Sequence, residues 1–210
     1  MPKLLITGFG PFAKHTQNAS WESVTRAQPS LPPDWTIEKL QVPVLWGNAP
    51  KLVKDALSDD VRAIVVFGQA GDPEIRLERI AVNASTRHIE DIEGMRFDAE
   101  HIEPDGPPAY YTGLPYQRLL ATLQRDAIPS RISLHAGGYL CNFTFYHLMH
   151  HVHHRRAGLV AGFVHVPDLE RMGLEVLTQG VEIIAREVAE HAHTRVQRCD
   201  AAVGAASGRD

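Results

Sequence analysis

Three residues with clear chemical potential lie far apart in the sequence, and the first is a cysteine. Cys141 stands in ISLHAGGYLCN, where alternating apolar residues and a glycine pair predict a strand and a turn, and the spacing that follows predicts a helix. A thiol in the first turn of a helix faces the positive end of the helix dipole, which favours the thiolate. We therefore interpret Cys141 as a candidate nucleophile; the alternative is a small buried apolar side chain.

The other two residues could activate that thiol. His165 closes the apolar segment GLVAGFVHVP, and a neutral imidazole near a thiol can take its proton and later donate one to a leaving amine. Glu78 lies between apolar neighbours, where a carboxylate needs a partner. It would either form a structural ion pair with Arg76 or Arg79, or orient the imidazole as the third member of a triad.

The elements that must position these residues alternate between apolar strands and amphipathic helices. Segments 3–7 and 61–67 are nearly continuous apolar runs, which is typical of strands covered on both faces, and 75–83 is predicted to be one further strand. This alternation predicts an α/β fold: a three-layer α/β/α sandwich with a mostly parallel mixed central sheet. Ligand sites in such sheets lie at strand ends, where Cys141 and His165 are both predicted to fall.

Length, charge and cysteine content restrict the function classes. The 210 residues predict a single catalytic domain over 1–210, with a long helix over 172–193 and a frayed tail from about 195. A net charge of −4 indicates no surface for nucleic acid or an anionic membrane, and no apolar run has the length of a membrane span. Two cysteines and no apparent signal peptide favour a cytoplasmic protein without a disulfide framework.

The helix predicted after Cys141 is rich in histidine. His147, His150, His151 and His154 share one face at three- and four-residue spacing, and two pairs four residues apart could bind zinc. No HExxH motif is present and no third ligand stands nearby in the sequence. We therefore interpret this face as solvated and predict no metal site, with a small-molecule or metal binder as the alternative function.

The loop after the first strand, GFGPFA, weakly resembles a dinucleotide-binding turn. Pro11 interrupts it and lacks the N–H that would face a pyrophosphate. We expect this loop to carry Phe9 and Phe12 into a pocket instead, and we predict no nucleotide or other cofactor.

Four motifs in order resemble the pyroglutamyl peptidase I family of cysteine peptidases, also called pyrrolidone-carboxylate peptidases. They are TGFGPFAKHTQNASWE, GQAG followed by LERIAVN, ISLHAGGYLCN, and GFVHVP, and the resemblance covers most of residues 3–190. It implies a cytoplasmic enzyme that removes N-terminal pyroglutamate from peptides without a metal or organic cofactor, and a homotetramer. A related thiol amidase or lactam hydrolase with altered substrate preference is the alternative.

The resemblance also implies roles for individual residues. Cys141 would be the nucleophile, His165 the general base and acid, and Glu78 the residue that orients it. The pyroglutamate pocket would be built by Phe9, Phe12, Gln69, Ile89, Tyr139 and Leu140.

Three positions depart from the family's pattern. The glutamate motif is one residue short between Gly71 and Glu78, with Arg76 in place of Ser or Thr, and His135 replaces a small residue. His88 stands where many members carry an arginine near the thiol. We expect these changes to affect rate and substrate preference more than fold.

Overall fold

The computed structural model describes residues 1–12 and 16–207, with side chains described as far as residue 198. Eight strands are named within these ranges: β1 Lys3–Phe9, β2 Thr36–Val42, β3 Val61–Ala70, β4 Ile75–Glu78, β5 Ile80–Val82, β6 Ala109–Tyr111, β7 Ser130–Ser133 and β8 Val160–Pro167. Five helices accompany them: α1 Ala19–Arg26, α2 Asn48–Asp55, α3 Tyr116–Arg125, α4 Leu140–Arg155 and α5 Leu174–Ser207.

Six of the strands form the central sheet, in the order β2-β1-β3-β8-β4-β7. The first four are mutually parallel, β4 is antiparallel to β8, and β7 is parallel to β4. Because β4 runs against β8, its first residues lie at the same edge of the sheet as the carboxyl ends of β3 and β8. The candidate active site lies at this edge of the sheet.

The two faces of the sheet are covered by two separate apolar clusters. Side chains of α1, α3 and α5, such as Val24, Leu123 and Val181, pack on one face. Side chains of α2 and α4, such as Val53 and Phe145, pack on the other. The predicted three-layer α/β/α sandwich with a mostly parallel mixed sheet is confirmed.

The segment 75–83, predicted to be one strand, is divided between two sheets. After Glu78 the chain leaves the central sheet, and β5 pairs with β6 in a separate two-stranded sheet. Arg79 marks the break, because its backbone carbonyl accepts from the N–H of Thr112 and its guanidinium lies 4.8 Å from the ring centroid of Tyr116. These contacts hold Arg79 against the residues after β6 and against α3.

Two further boundaries differ from the sequence-based expectations. The strand before Cys141 ends at Ser133 and does not reach Ala136. Helix α5 continues past His193 as far as Ser207, so the predicted frayed tail is helical over that part, and residues 208–210 lie outside the described residues. Within the described chain, no helix has the length and apolar character needed to cross a bilayer.

Candidate active site

Strand pairing places an arginine, a glutamate and a histidine on one face of the sheet. Arg76 of β4 pairs with His165 of β8, and Glu78 pairs with Phe163. Side chains two residues apart on a strand share a face, so all four project toward α4. On the other side of β8, Gly68 of β3 is the register partner of His165.

Glu78 and His165 form a short, buried hydrogen bond. The His165 Nδ1 atom lies 2.7 Å from Glu78 Oε1, and both residues are almost inaccessible to solvent. A proton on Nδ1 donated to the carboxylate leaves Nε2 with the lone pair, which is the tautomer a general base requires. Burial lowers the pKa of His165 below its usual value; the hydrogen bond and charge of Glu78 raise it, and the charge of Arg76 lowers it.

Cys141 reaches the same face from the first turn of α4. A Cβ atom added to Gly68 would lie 3.1 Å from the Cys141 sulfur and 2.7 Å from Phe163 Cζ. The sulfur therefore rests over the backbone of the strand that pairs with His165. Helix α4 begins at Leu140, so the N–H groups of Leu140 and Cys141 have no carbonyl partner within the helix.

The electrostatic environment of the thiol differs from the sequence-based expectation. Burial raises the pKa of Cys141 to about 12, the negative charge of Glu78 raises it further, and the positive charge of Arg76 acts against both. Burial therefore opposes the thiolate that the helix terminus favours.

Asn142 anchors the helix that carries the cysteine. Its side chain is fully buried, accepts from the N–H of Val82 at 3.0 Å, and donates to the carbonyls of Val82 and Ala84 at 2.9 and 3.0 Å. All three bonds go to backbone groups of β5 and the residues after it. The position of Cys141 is thus fixed to the second sheet, a role that the sequence analysis missed.

A small cavity of about 60 Å³ opens beside the Cys141 sulfur. Its walls include five of the six predicted pocket residues: Phe9, Phe12, Gln69, Tyr139 and Leu140. Asn18 and Val44 also line it, and the sequence analysis assigned neither of them to the pocket. Asn18 also caps α1, since its side chain accepts from the N–H of Ser20.

Ile89, the sixth predicted pocket residue, lies outside this lining. Its side chain is 40% exposed, and its carbonyl accepts from Trp46 Nε1 at 3.2 Å. The neighbouring Glu90 carbonyl accepts from the Tyr139 hydroxyl at 2.9 Å, so this loop reaches the cavity through Tyr139. A contact between Ile89 and the substrate therefore stays a prediction.

Hydrogen bonds hold the polar wall of the cavity in place. Asn18 donates to the carbonyl of Gly10 at 2.9 Å, and Gln69 Oε1 accepts from the N–H of Ala19 at 2.7 Å. The Ser20 hydroxyl accepts from the N–H of Phe9 at 3.0 Å. The loop after β1 is therefore tied to α1 and β3, which sets the distance between Phe9 and the opposite wall.

The histidine-rich face of α4 is less solvated than predicted. His147 Nδ1 lies 3.1 Å from Glu103, and His150 Nδ1 lies 3.0 Å from the hydroxyl of Tyr110. The face thus packs against β6 and the segment that precedes it. Among the described residues there is no group of three or more His, Cys, Asp or Glu side chains arranged to hold a metal ion.

The remaining residues singled out in the sequence lie around the site. His135 is exposed and accepts from the N–H of Gly137 at 3.1 Å, and His88 is exposed with a left-handed φ of 80°. Arg76 is the departure that enters the site directly, because its Nε lies 3.1 Å from Glu78 Oε1. The side chain of Cys199 lies outside the described residues.

Comparison with known proteins identifies the family. The family model described as pyroglutamyl peptidase matches residues 2–204. A pyrrolidone-carboxylate peptidase from Bacillus subtilis is 37% identical over 175 residues, which cover 82% of this chain and 81% of the relative.

Solved structures give the same result. The crystal structure of pyroglutamyl peptidase I from Bacillus amyloliquefaciens has a TM-score of 0.84 at 32% identity, covering 91% of this chain and 98% of that one. A pyrrolidone carboxyl peptidase from Thermococcus litoralis has a TM-score of 0.85 at 28% identity, covering 92% and 96%. With its motifs, its sheet topology and its nearly full-length matches in agreement, the chain belongs to the pyroglutamyl peptidase family.

Proposed function

We propose that this protein is a cysteine peptidase that removes N-terminal pyroglutamate from peptides, with Cys141 as the nucleophile. The observation that carries the proposal is the position of the Cys141 sulfur, beside a small cavity and above the strand that pairs with His165. The family membership of the chain supports the same activity.

The cavity suits a small ring without a free amine. Pyroglutamate is a five-membered lactam, so recognition by an acidic residue, as for an ordinary amino terminus, would fail. Phe9 and Phe12 supply apolar walls for the ring, and polar groups near Gln69 satisfy the lactam N–H and C=O. The small volume of the cavity excludes larger side chains at this position.

The chemistry begins with proton transfer. His165 Nε2 takes the proton of the Cys141 thiol as the sulfur attacks the carbonyl carbon that joins the ring to the next residue. Glu78, hydrogen-bonded to Nδ1, stabilises the imidazolium that results. The N–H groups of Leu140 and Cys141 at the start of α4 hold the oxyanion, and losing one such donor typically costs about 10²–10³ in rate.

The second half of the reaction releases both products. The imidazolium gives its proton to the departing amine as the C–N bond breaks, which leaves a thioester on Cys141. Water, deprotonated by His165, then attacks the thioester carbonyl and frees pyroglutamate, and the proton returns to the sulfur. The scheme uses no metal or organic cofactor.

Localisation and assembly belong to the same proposal. A chain with two cysteines and no disulfide framework is typical of a reducing compartment, which favours the cytoplasm. The resemblance of the motifs to the family favours a homotetramer, and light scattering of the purified protein measures its mass directly.

A panel of fluorogenic amides tests the substrate class. Equal concentrations of pyroglutamyl, prolyl and acetyl amides of one fluorophore should give cleavage of the pyroglutamyl amide alone, with EDTA without effect. Faster cleavage of the acetyl or prolyl amide would favour the thiol amidase alternative. Loss of activity with EDTA would contradict the metal-free scheme.

A further inference from the structure

Arg76 occupies a position that the proposed mechanism does not explain. Its guanidinium lies between the two members of the buried pair: NH2 is 3.0 Å from His165 Nδ1, and Nε is 3.1 Å from Glu78 Oε1. The side chain is only 16% exposed. A permanent cation is therefore held beside Nδ1 of the imidazole whose Nε2 has to accept a proton.

This contact is not that of a saturated structural ion pair. Within the described chain, Arg76 Nε and Glu78 Oε2 are both buried and have no hydrogen-bond partner. Nδ1 can bond to only one neighbour at a time, because it donates to Glu78 when protonated and accepts from Arg76 when not. In the imidazolium both ring nitrogens carry protons, so the guanidinium then faces a like charge at close range.

Further charged side chains surround the guanidinium of Arg76. Asp72 accepts from Arg76 NH1 at 2.5 Å and from Arg131 NH2 at 3.0 Å. Arg131 is in turn 3.5 Å from Glu74. All three of these side chains are partly exposed: Asp72, Glu74 and Arg131. The network of charges therefore leads from the buried imidazole to the surface, at the edge of the sheet where β3 and β8 end.

Resting on the proposed function, we propose that Arg76 is a positioning residue that disfavours the imidazolium form of His165, so that the ring with its single proton on Nδ1 stays available as a base at lower pH, and that Asp72 limits this effect. The charged and titratable groups that face His165 come from three elements and one turn. They are Glu78 and Arg76 on β4, Cys141 on α4 and Asp72 before β4, with Arg131 on β7 behind Asp72.

The direction of each influence agrees with this role. After burial, which lowers it most, the pKa of His165 is raised by Glu78, lowered by Arg76 and raised by Asp72. Removing Arg76 should therefore let the imidazole protonate at higher pH, and removing the charge of Asp72 should have the opposite effect. Two variants at neighbouring positions are thus expected to move one titration in opposite directions.

The test measures kcat/KM for a pyroglutamyl fluorogenic amide against pH in Arg76→Gln, Asp72→Asn and the wild type. The acid limb should move up by about one pH unit in Arg76→Gln and down by about half a unit in Asp72→Asn. Arg26→Gln on α1, which removes the same charge away from the site, is the matched control and should leave the limb in place. A merely structural role for Arg76 would lower the melting temperature without moving the limb.

A second readout does not depend on turnover. The ¹⁵N resonances of the His165 ring, assigned with a His165→Gln variant, report its titration in the substrate-free protein. If that titration and the acid limb are both unchanged in Arg76→Gln, the proposal is overturned. If Arg76→Gln does not fold, the partly exposed Asp72→Asn decides: a downward shift supports the proposal, and no shift overturns it. A wild type without peptidase activity would contradict the proposed function, while the ring titration would still decide the role of Arg76.

Discussion

At the scale of single residues, the reactive sulfur depends on a position without a side chain. Gly68 lets the Cys141 sulfur and the ring of Phe163 approach the backbone of β3. Any Cβ there would lie closer to Phe163 Cζ than real side chains allow, at 2.7 Å. The same Cβ would lie 3.1 Å from the Cys141 sulfur, so the sulfur would have to move as well.

We expect Gly68→Ala to impair catalysis more than folding. Overpacking a tight site costs about 1–3 kcal/mol of stability, and a displacement of about 1 Å at reacting atoms can lower the rate by about 10²-fold. The measurement is kcat/KM together with the urea midpoint. Gly71→Ala is the matched control, since a Cβ at Gly71 meets nothing within 4 Å. Equal activity in the two variants would contradict the placement of the sulfur over Gly68.

At the scale of elements, α4 is held by an amide rather than by a strong amphipathic pattern. The helix is buried on most sides, with Phe145, Tyr146 and Leu148 almost inaccessible, so apolar packing alone specifies its rotation poorly. The three hydrogen bonds of Asn142 to the backbone at Val82 and Ala84 fix both rotation and height. The first turn, with Cys141 and its free N–H groups, is thereby positioned.

Replacing this amide should therefore cost both stability and activity. In Asn142→Ala, three partly buried backbone groups lose their partner, and an unsatisfied group costs about 1–3 kcal/mol when it is fully buried and less when water can reach it. We expect the free energy of unfolding in urea to fall by at least about 2 kcal/mol, with a loss of kcat/KM in the protein that remains folded.

Thr144→Val is the matched control on the same helix. Thr144 is fully buried, and within the described residues its hydroxyl has no hydrogen-bond partner. Its replacement should leave stability unchanged or higher. A Thr144→Val variant as unstable as Asn142→Ala would show that the helix is sensitive to any change in volume, which would contradict a specific role for the amide.

Local patterns allowed the sheet, its helices and most of the site to be predicted. Cys141 and His165 follow recognisable strand and turn signals, and the apolar run of β3 identifies a central strand. The break after Glu78 was not predictable, because the partners of the next residues, β6 and Thr112, lie far along the chain. The raised pKa of the thiol and the approach of Arg76 to His165 likewise arise from burial and strand register, which no single segment encodes.

At the scale of the whole molecule, neutral histidines are built into the face of α4 that packs against the loop before β6. Burial lowers the pKa of His147 to about 4, although Glu103 raises it. In the unfolded chain the same imidazole binds its proton near the ordinary value of 6.5. The folded state therefore loses stability as the pH falls from about 6.5 to about 4, and the loss levels off below that range.

This linkage predicts an acid sensitivity that one substitution should reduce. Lowering the pH from 7.5 to 5 should cost the wild type about 1–2 kcal/mol through His147 alone, and His147→Gln should lose that much less over the same interval. Urea unfolding at the two pH values measures the difference. His153→Gln, an exposed position on the same helix, should retain the wild-type pH dependence. A His147→Gln variant as acid-sensitive as the wild type would contradict the linkage.

The central claim is that the Cys141 sulfur performs the cleavage, and the most direct test compares two alanine variants. The measurement is kcat/KM for a pyroglutamyl fluorogenic amide in the wild type, Cys141→Ala and Cys199→Ala. We predict a loss of at least about 10⁴-fold in Cys141→Ala, as for other essential nucleophiles, and activity within about twofold of the wild type in Cys199→Ala. Turnover retained by Cys141→Ala, or lost in Cys199→Ala alone, would contradict the account.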